Sequence, residues 1–165
     1  MSRLQNKVAV ITGGTSGIGL AAAQRFVAEG AFVYIFARRQ EELDKTVAAI
    51  GRNVAGVQGD VRKLEDLDRL YAKVASDGRK IDVVVANVGA VNSVKLADVT
   101  PESFNHNFDV NARGVLFTVQ LPRSQRLRRL QDRTAPLCQD LDNGAQGPRH
   151  PGQHDHSRSL RHAAD

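Results

Sequence analysis

A single cysteine, Cys138, among 165 residues excludes an internal disulfide framework. A lone thiol suits a reducing compartment, and the chain is expected to be cytoplasmic. No apolar run approaches the ~18 residues needed to cross a bilayer, so no membrane partner is expected. The opening Met1-Ser2-Arg3-Leu4-Gln5-Asn6 is too short and polar for a signal peptide. The sharpest deficit is local. From Leu121 to Asp165 there is no Val, Ile, Phe, Tyr, Met, Trp, Lys or Glu, although the preceding 120 residues use most of these freely. Without β-branched aliphatic residues this segment cannot supply a buried strand. It reads as a disordered, aberrant tail with one short helix around Arg126, Leu127 and Leu130. Much of the formal charge of +5 gathers there.

The abrupt change near Gln120 suggests a shifted reading frame, with a spliced or fused tail as the competing account. Tail residues offer two further sites, and neither persuades. His150, His154, His156 and His162 lie among prolines and glycines at spacings that match no common zinc pattern, so no metal is expected. Arg123, Arg126, Arg128, Arg129 and Arg133 have no aromatic residue among them to stack bases, so no nucleic acid is expected.

Residues 1–120 are different, because strand-like and helix-like patterns alternate there. Val8-Ala9-Val10-Ile11 is a short, continuously apolar strand of the kind covered on both faces. The glycine loop Thr12-Gly13-Gly14-Thr15-Ser16-Gly17-Ile18-Gly19 follows it and opens a helix with Ile18, Ala22 and Phe26 at helical spacing. Gly30 closes that helix. Phe32–Phe36 is a second strand, and Leu43, Val47 and Ile50 stripe a second helix closed by Gly51. Val54–Gln58 is a third strand, followed by a helix with Leu64, Leu67, Leu70, Tyr71 and Val74 on one face. Ile81–Ala86 is a fourth strand. Thr100-Pro101-Glu102 starts a helix striped by Phe104, Phe108 and Val115. The spacing predicts an α/β fold, a Rossmann-like doubly wound parallel sheet that ends after the fourth strand and the helix behind it. Residues 1–120 would form one incomplete domain, and 121–165 the tail.

In such sheets ligands bind beyond the carboxyl ends of the strands. A glycine loop between strand and helix lets the backbone approach a diphosphate, and free N–H groups at the helix start favour its charge. After the second strand come Arg38 and Arg39, where an acid would accept hydrogen bonds from an adenosine 2′-hydroxyl. Two guanidiniums there favour a 2′-phosphate, hence NADP(H) over NAD(H), unless they are only a solvated pair opening a helix. Asp60, before Val61, is placed to meet an adenine amino group, or is an ordinary turn or cap aspartate. Asn87 and Gly89 end the fourth strand, where they allow close approach of a cofactor or simply make a turn.

Together, Thr12-Gly-x-x-x-Gly-Ile-Gly19, Arg38, Asp60-Val61, Asn87-Val-Gly89 and Asn111 resemble the short-chain dehydrogenase/reductase family over about residues 5–120. The resemblance implies dinucleotide binding by Gly13, Thr15, Ser16, Gly17, Ile18, Gly19, Arg38, Arg39, Asp60, Val61, Asn87 and Gly89. It also implies hydride transfer between nicotinamide and a small alcohol or carbonyl substrate, and a homo-oligomer. Ala86 stands where the family often has a further asparagine. Asn111 matches a residue that supports its helix and positions a water near a catalytic lysine, although a buried asparagine satisfied by backbone carbonyls fits equally. The family's serine, and its tyrosine with a lysine four residues later, have no counterpart. The two tyrosines are Tyr34, with Arg38 four residues on, and Tyr71, with Ala75 four residues on, and no lysine follows Lys95. Ser124, Ser157 and Ser159 end no credible strand. A non-catalytic dinucleotide-binding remnant is therefore the alternative to an oxidoreductase.

Overall fold

The structure, a computed structural model, describes residues 2–91 and 93–120. Strand β1 (Val8–Thr12) leads through the glycine loop into helix α1 (Gly17–Ala28), and β2 (Phe32–Ala37) into α2 (Gln40–Ile50). Strand β3 (Val54–Gln58) is followed by α3 (Leu64–Ser76), and β4 (Val83–Ala86) by a short 3₁₀ turn at Leu96–Asp98. The last described elements run on from one another: α4 (Pro101–Phe108), a π turn at Asp109–Arg113, and α5 (Gly114–Val119). All pairings are parallel, and the order is β3-β2-β1-β4. Parallel strands need crossovers, and the helices that supply them cover both faces.

Alternation along each strand divides the core in two. Val8, Val10, Tyr34 and Phe36 pack with Leu67, Leu70, Tyr71 and Val74 of α3 and with Val110. Ala9, Ile11, Val33 and Ile35 face the other way, onto Ala23 and Val27 of α1 and Leu43 of α2.

Three expectations shift. Ile81 is buried, yet regular pairing begins only at Val83, because the Asp82 carboxylate and not a backbone carbonyl accepts the N–H of Val8 as the chain enters the sheet. The inward stripe of α1 is Gly19, Ala23 and Val27, with Ala22 and Phe26 half-buried at its border, while Ile18 stands 82 % exposed. Along α4 and α5 the buried line is Val110, Gly114 and Thr118, and the rings of Phe104 and Phe108 stack on each other in solvent, 4.6 Å between centroids. A π turn inserts one extra residue per turn, so a 3.6-residue stripe drawn from Phe104 to Val115 loses phase at Asp109. Expectations about the tail, including its disorder, its short helix and its histidines and arginines, lie outside the described residues.

Candidate functional site

The chain doubles back between β1 and β4: β2 and β3 extend to one side of β1, and β4 pairs on the other. At that reversal the loops leaving two neighbouring strands diverge, which opens a crevice at their carboxyl ends. A cleft of about 550 Å³ lies there, walled by the segments that follow all four strands.

From β1 come Gly13, Thr15 and Ser16. Gly13 adopts φ +71°, which glycine accepts without strain, and its N–H donates to the carbonyl of Phe36 at 2.8 Å. Gly19 is the closest approach of α1 to the loop. A Cβ there would overlap the carbonyl oxygen of Gly13 and stand 2.6 Å from Asn87 Nδ2. Leu20 is the residue whose N–H closes onto Ser16, at 3.2 Å, and the Ser16 side chain makes no capping hydrogen bond. The helix start therefore keeps its unpaired N–H character, with no acid in its first turn to neutralise it. Gly17 and Ile18 belong to this helix start and do not themselves wall the cleft.

From β2 come Ala37, Arg38 and Arg39, both arginines exposed on the rim. From β3 come Gly59, Asp60 and Val61. The Asp60 carboxylate accepts from the Arg62 backbone N–H at 3.0 Å, from Arg62 Nε at 3.0 and 3.1 Å, and from Arg62 Nη2 at 2.5 Å. That guanidinium, more than any other neighbour, holds the Asp60 carboxyl below the usual range. On its other side the Asp60 N–H donates to Asp66 Oδ2 at 2.8 Å, and Asp66 is in turn held by Arg69 Nη1 at 2.7 Å.

From β4 come Asn87, Val88, Gly89 and Ala90. The Asn87 amide turns back toward the glycine loop and donates to the carbonyls of Thr12 and Gly13, each at 3.3 Å. Thr12 Oγ1 meanwhile accepts the N–H groups of Asn87 and Val88 at 3.1 and 3.3 Å. These bonds weld the ends of β1 and β4 together across the floor of the cleft. Asn111 sits in the π turn and grips Ala90 twice, donating to its carbonyl at 2.6 Å and accepting its N–H at 3.0 Å. It is exposed, and its amide is satisfied by the Ala90 backbone, so of the alternative reading the backbone partner holds and the burial does not.

Neither tyrosine reaches the cleft. The Tyr34 hydroxyl donates to Asp77 Oδ2 at 2.7 Å, and the Tyr71 hydroxyl donates to the Thr118 carbonyl. Burial pushes both phenols up, away from ready proton donation at neutral pH. Several groups that shape the site had no role read from the sequence: the Thr12 hydroxyl and Val88, although both stand within the motifs, and Arg62 and Val110. Asp66, an acid in the first turn of α3, is a further support for Asp60 that sequence reasoning missed.

A family model described as short chain dehydrogenase matches residues 7–128. Oxidoreductase asL5 of Sarocladium schorii is 51 % identical over 120 residues, covering 73 % of this chain and 48 % of its own. Dehydrogenase/reductase SDR family member 4 of Oryctolagus cuniculus is 42 % identical over 117 residues, covering 68 % of this chain and 45 % of its own. Among solved structures, L-sorbose reductase from Gluconobacter frateurii, complexed with NADPH and L-sorbose, superposes with TM-score 0.68 and 29 % identity over 73 % of this chain and 48 % of its own. The chain belongs to the short-chain dehydrogenase family, whose members are oxidoreductases that bind a nicotinamide dinucleotide. It spans about half the length of the curated relatives it matches. The match runs eight residues past Gln120, where the composition changes.

Proposed function

We propose that this chain binds NADP(H) in the cleft at the carboxyl ends of the four strands, and that its line of descent is that of reductases acting on small alcohols or carbonyls. The observation that carries the reading is the cleft wall of Gly13, Thr15 and Ser16 at the uncapped start of α1, where Gly19 packs so closely on the Gly13 carbonyl that no side chain fits between them. In this reading the diphosphate rests on Gly13, Thr15, Ser16, Gly17, Ile18 and Gly19. Arg38 and Arg39 take the 2′-phosphate, Asp60 and Val61 border the adenine, and Asn87 and Gly89 support the nicotinamide-side ribose. Bound nicotinamide supplies the hydride. The chain's own residues orient it: Asn87 and Thr12 fix the floor, and Asn111 fixes the loop after β4. NADPH in the neighbouring sorbose reductase supports the choice of cofactor. The single cysteine fits a cytoplasmic setting, and among the described residues no helix is long and apolar enough to cross a membrane.

A second reading concerns turnover. Tyr34 and Tyr71 are buried, hydrogen-bonded elsewhere and absent from the cleft walls, so neither can protonate a carbonyl oxygen held there. The chain by itself is therefore proposed to bind the dinucleotide without reducing a substrate, as expected of a product whose frame shifted near Gln120. Nicotinamide fluorescence of the purified chain with NADPH, followed by an assay against small ketones and sugars, tests both parts. Saturable binding without turnover is expected. Turnover would overturn the second part, and absence of binding the first.

A further inference from the structure

Gly114, the first residue of α5, is buried against the loop that follows β3, and the space where its side chain would be is taken. A Cβ there would stand 2.8 Å from Val61 Cγ2, 3.1 Å from Val61 Cβ and 3.2 Å from the carbonyl oxygen of Asp109. Turning Val61 about χ1 carries its methyl group away but leaves its Cβ in place, so a rotamer change does not make the room. Val61 is 5 % exposed and lines the cleft, whereas Gly114 does not line it. The glycine therefore stands behind that part of the wall.

The start of α5 is held on both sides of Gly114 and is not free to retreat. Before it, Asn111 grips Ala90 twice, and the Gly114 N–H donates to the Asp109 carbonyl across the π turn. After it, the buried Thr118 hydroxyl donates to the Gly114 carbonyl at 2.6 Å, and the Thr118 carbonyl accepts the Tyr71 hydroxyl of α3. Close-packed interiors give by fractions of an ångström and not by the width of a methyl group. Of the groups in contact, the Val61 side chain is the one with an open side. That side is the cleft.

We infer that Gly114 is a positioning residue for the cleft: its missing side chain lets α5 seat against Val61 and so sets how far the wall after β3 stands back, and a side chain at 114 would press that wall into the space of the adenosine half of a dinucleotide. The inference rests on the reading of Asp60 and Val61 as the border of the adenine and deepens it. Gly114 touches no part of the ligand, and its effect passes through Val61.

Four full-length chains test this: wild type, Gly114→Ala, Val61→Ala, and the double variant. Each is titrated with NADPH and with adenosine 2′,5′-bisphosphate, which is the adenosine half alone, and each is melted in urea. Gly114→Ala is expected to weaken both ligands by the same factor, about tenfold. Val61→Ala is expected to weaken both by about twofold to threefold through lost contact. The double variant binds within about threefold of Val61→Ala, because the methyl group that the new Cβ meets first is gone. Alanine is the better helix former, so on propensity alone Gly114→Ala would raise the urea midpoint. The expected result is a lower midpoint, with a smaller drop for the same substitution made in Val61→Ala.

Unchanged binding in Gly114→Ala, a loss for NADPH that the half-ligand does not share, or losses that simply multiply in the double variant overturn the inference. Should Gly114→Ala not fold, the double variant is compared with Val61→Ala: similar binding supports the inference, and a loss beyond about tenfold overturns it. If wild type binds neither ligand, the cofactor reading fails, and with it the effect on the adenosine half. Non-additive urea midpoints then still support Gly114 as what places Val61, and additive ones overturn that as well.

Discussion

Gly19 has no side chain because the carbonyl of Gly13 occupies the space where one would be. Neither of its neighbours can yield cheaply: one is backbone in the glycine loop, and the other is the Asn87 amide that braces it. Gly19→Ala is expected to cost about 1–3 kcal/mol in urea-melt stability and to weaken NADPH binding at least tenfold. Arg38 and Arg39 are exposed on the cleft rim, so replacing them should leave the fold alone. Arg38→Asp with Arg39→Ser is expected to reverse the cofactor preference toward NADH, read by paired dinucleotide titrations, with melting unchanged within error. The ionisable groups also set a pH profile. The Asp60 carboxyl is lowered mainly by Arg62, that of Asp66 by the Asp60 N–H, and that of Asp77 by Lys73. Folded values below unfolded ones mean that this stabilisation is complete above the unfolded carboxylate range, about pH 4, and is lost as pH falls through the depressed values. Tyr34 and Tyr71 act at the other end, because their folded values are raised. Their contribution is complete below the unfolded phenol value, about 10, and declines as pH rises beyond it. Urea midpoints are expected to be flat from pH 5 to 9 and to fall on both sides. A midpoint that rises below pH 4 would contradict this assignment.

At the scale of elements, local chemistry that can be named governs several boundaries. Thr100 caps α4 in a reciprocal box with Ser103, and Pro101 fills the first turn where its missing N–H costs nothing. Thr100→Ala is expected to cost about 1 kcal/mol by urea melt, without change in dinucleotide binding. Such start and stop residues, with apolar runs of strand length, make β1 through β3 and the helices behind them legible in the sequence. The third strand, Val54–Gln58, has the same bounds in sequence and structure. Periodicity failed where geometry departs from the ideal helix. Ile18 falls on the apolar phase of α1 but stands at its solvent-facing start, and the π turn at Asp109–Arg113 moves the buried line from Phe104 and Phe108 to Val110, Gly114 and Thr118. Of the cleft wall, Gly13, Thr15, Ser16, Arg38, Asp60 and Asn87 were legible because each lies just past a strand end. Arg62 and the Thr12 hydroxyl were not, because their partners are fixed only when β3 meets α4 and β1 meets β4.

For the molecule as a whole, the described sheet has two edges, β3 and β4. All four residues of β4 are half-buried, whereas every residue of β1 is buried. Phe104, Phe108, Leu116 and Val119 of α4 and α5 are each more than half exposed. Exposed apolar surface of this kind favours association, so sedimentation velocity is expected to show oligomers or aggregates above micromolar concentration. Phe104→Ser with Phe108→Ser should reduce them, and a sharp monomer boundary in the wild type would contradict the expectation. The cleft itself depends on none of that surface, because its walls follow the carboxyl ends of β1, β2, β3 and β4. The central claim, that these four strand ends form a working NADP(H) half-site, is tested most directly by titrating the purified chain with NADPH and NADH while recording nicotinamide fluorescence and thermal shift. The account predicts saturable binding with NADPH preferred at least tenfold and a higher melting temperature with it. No saturable binding of either dinucleotide, or a preference for NADH, would contradict it.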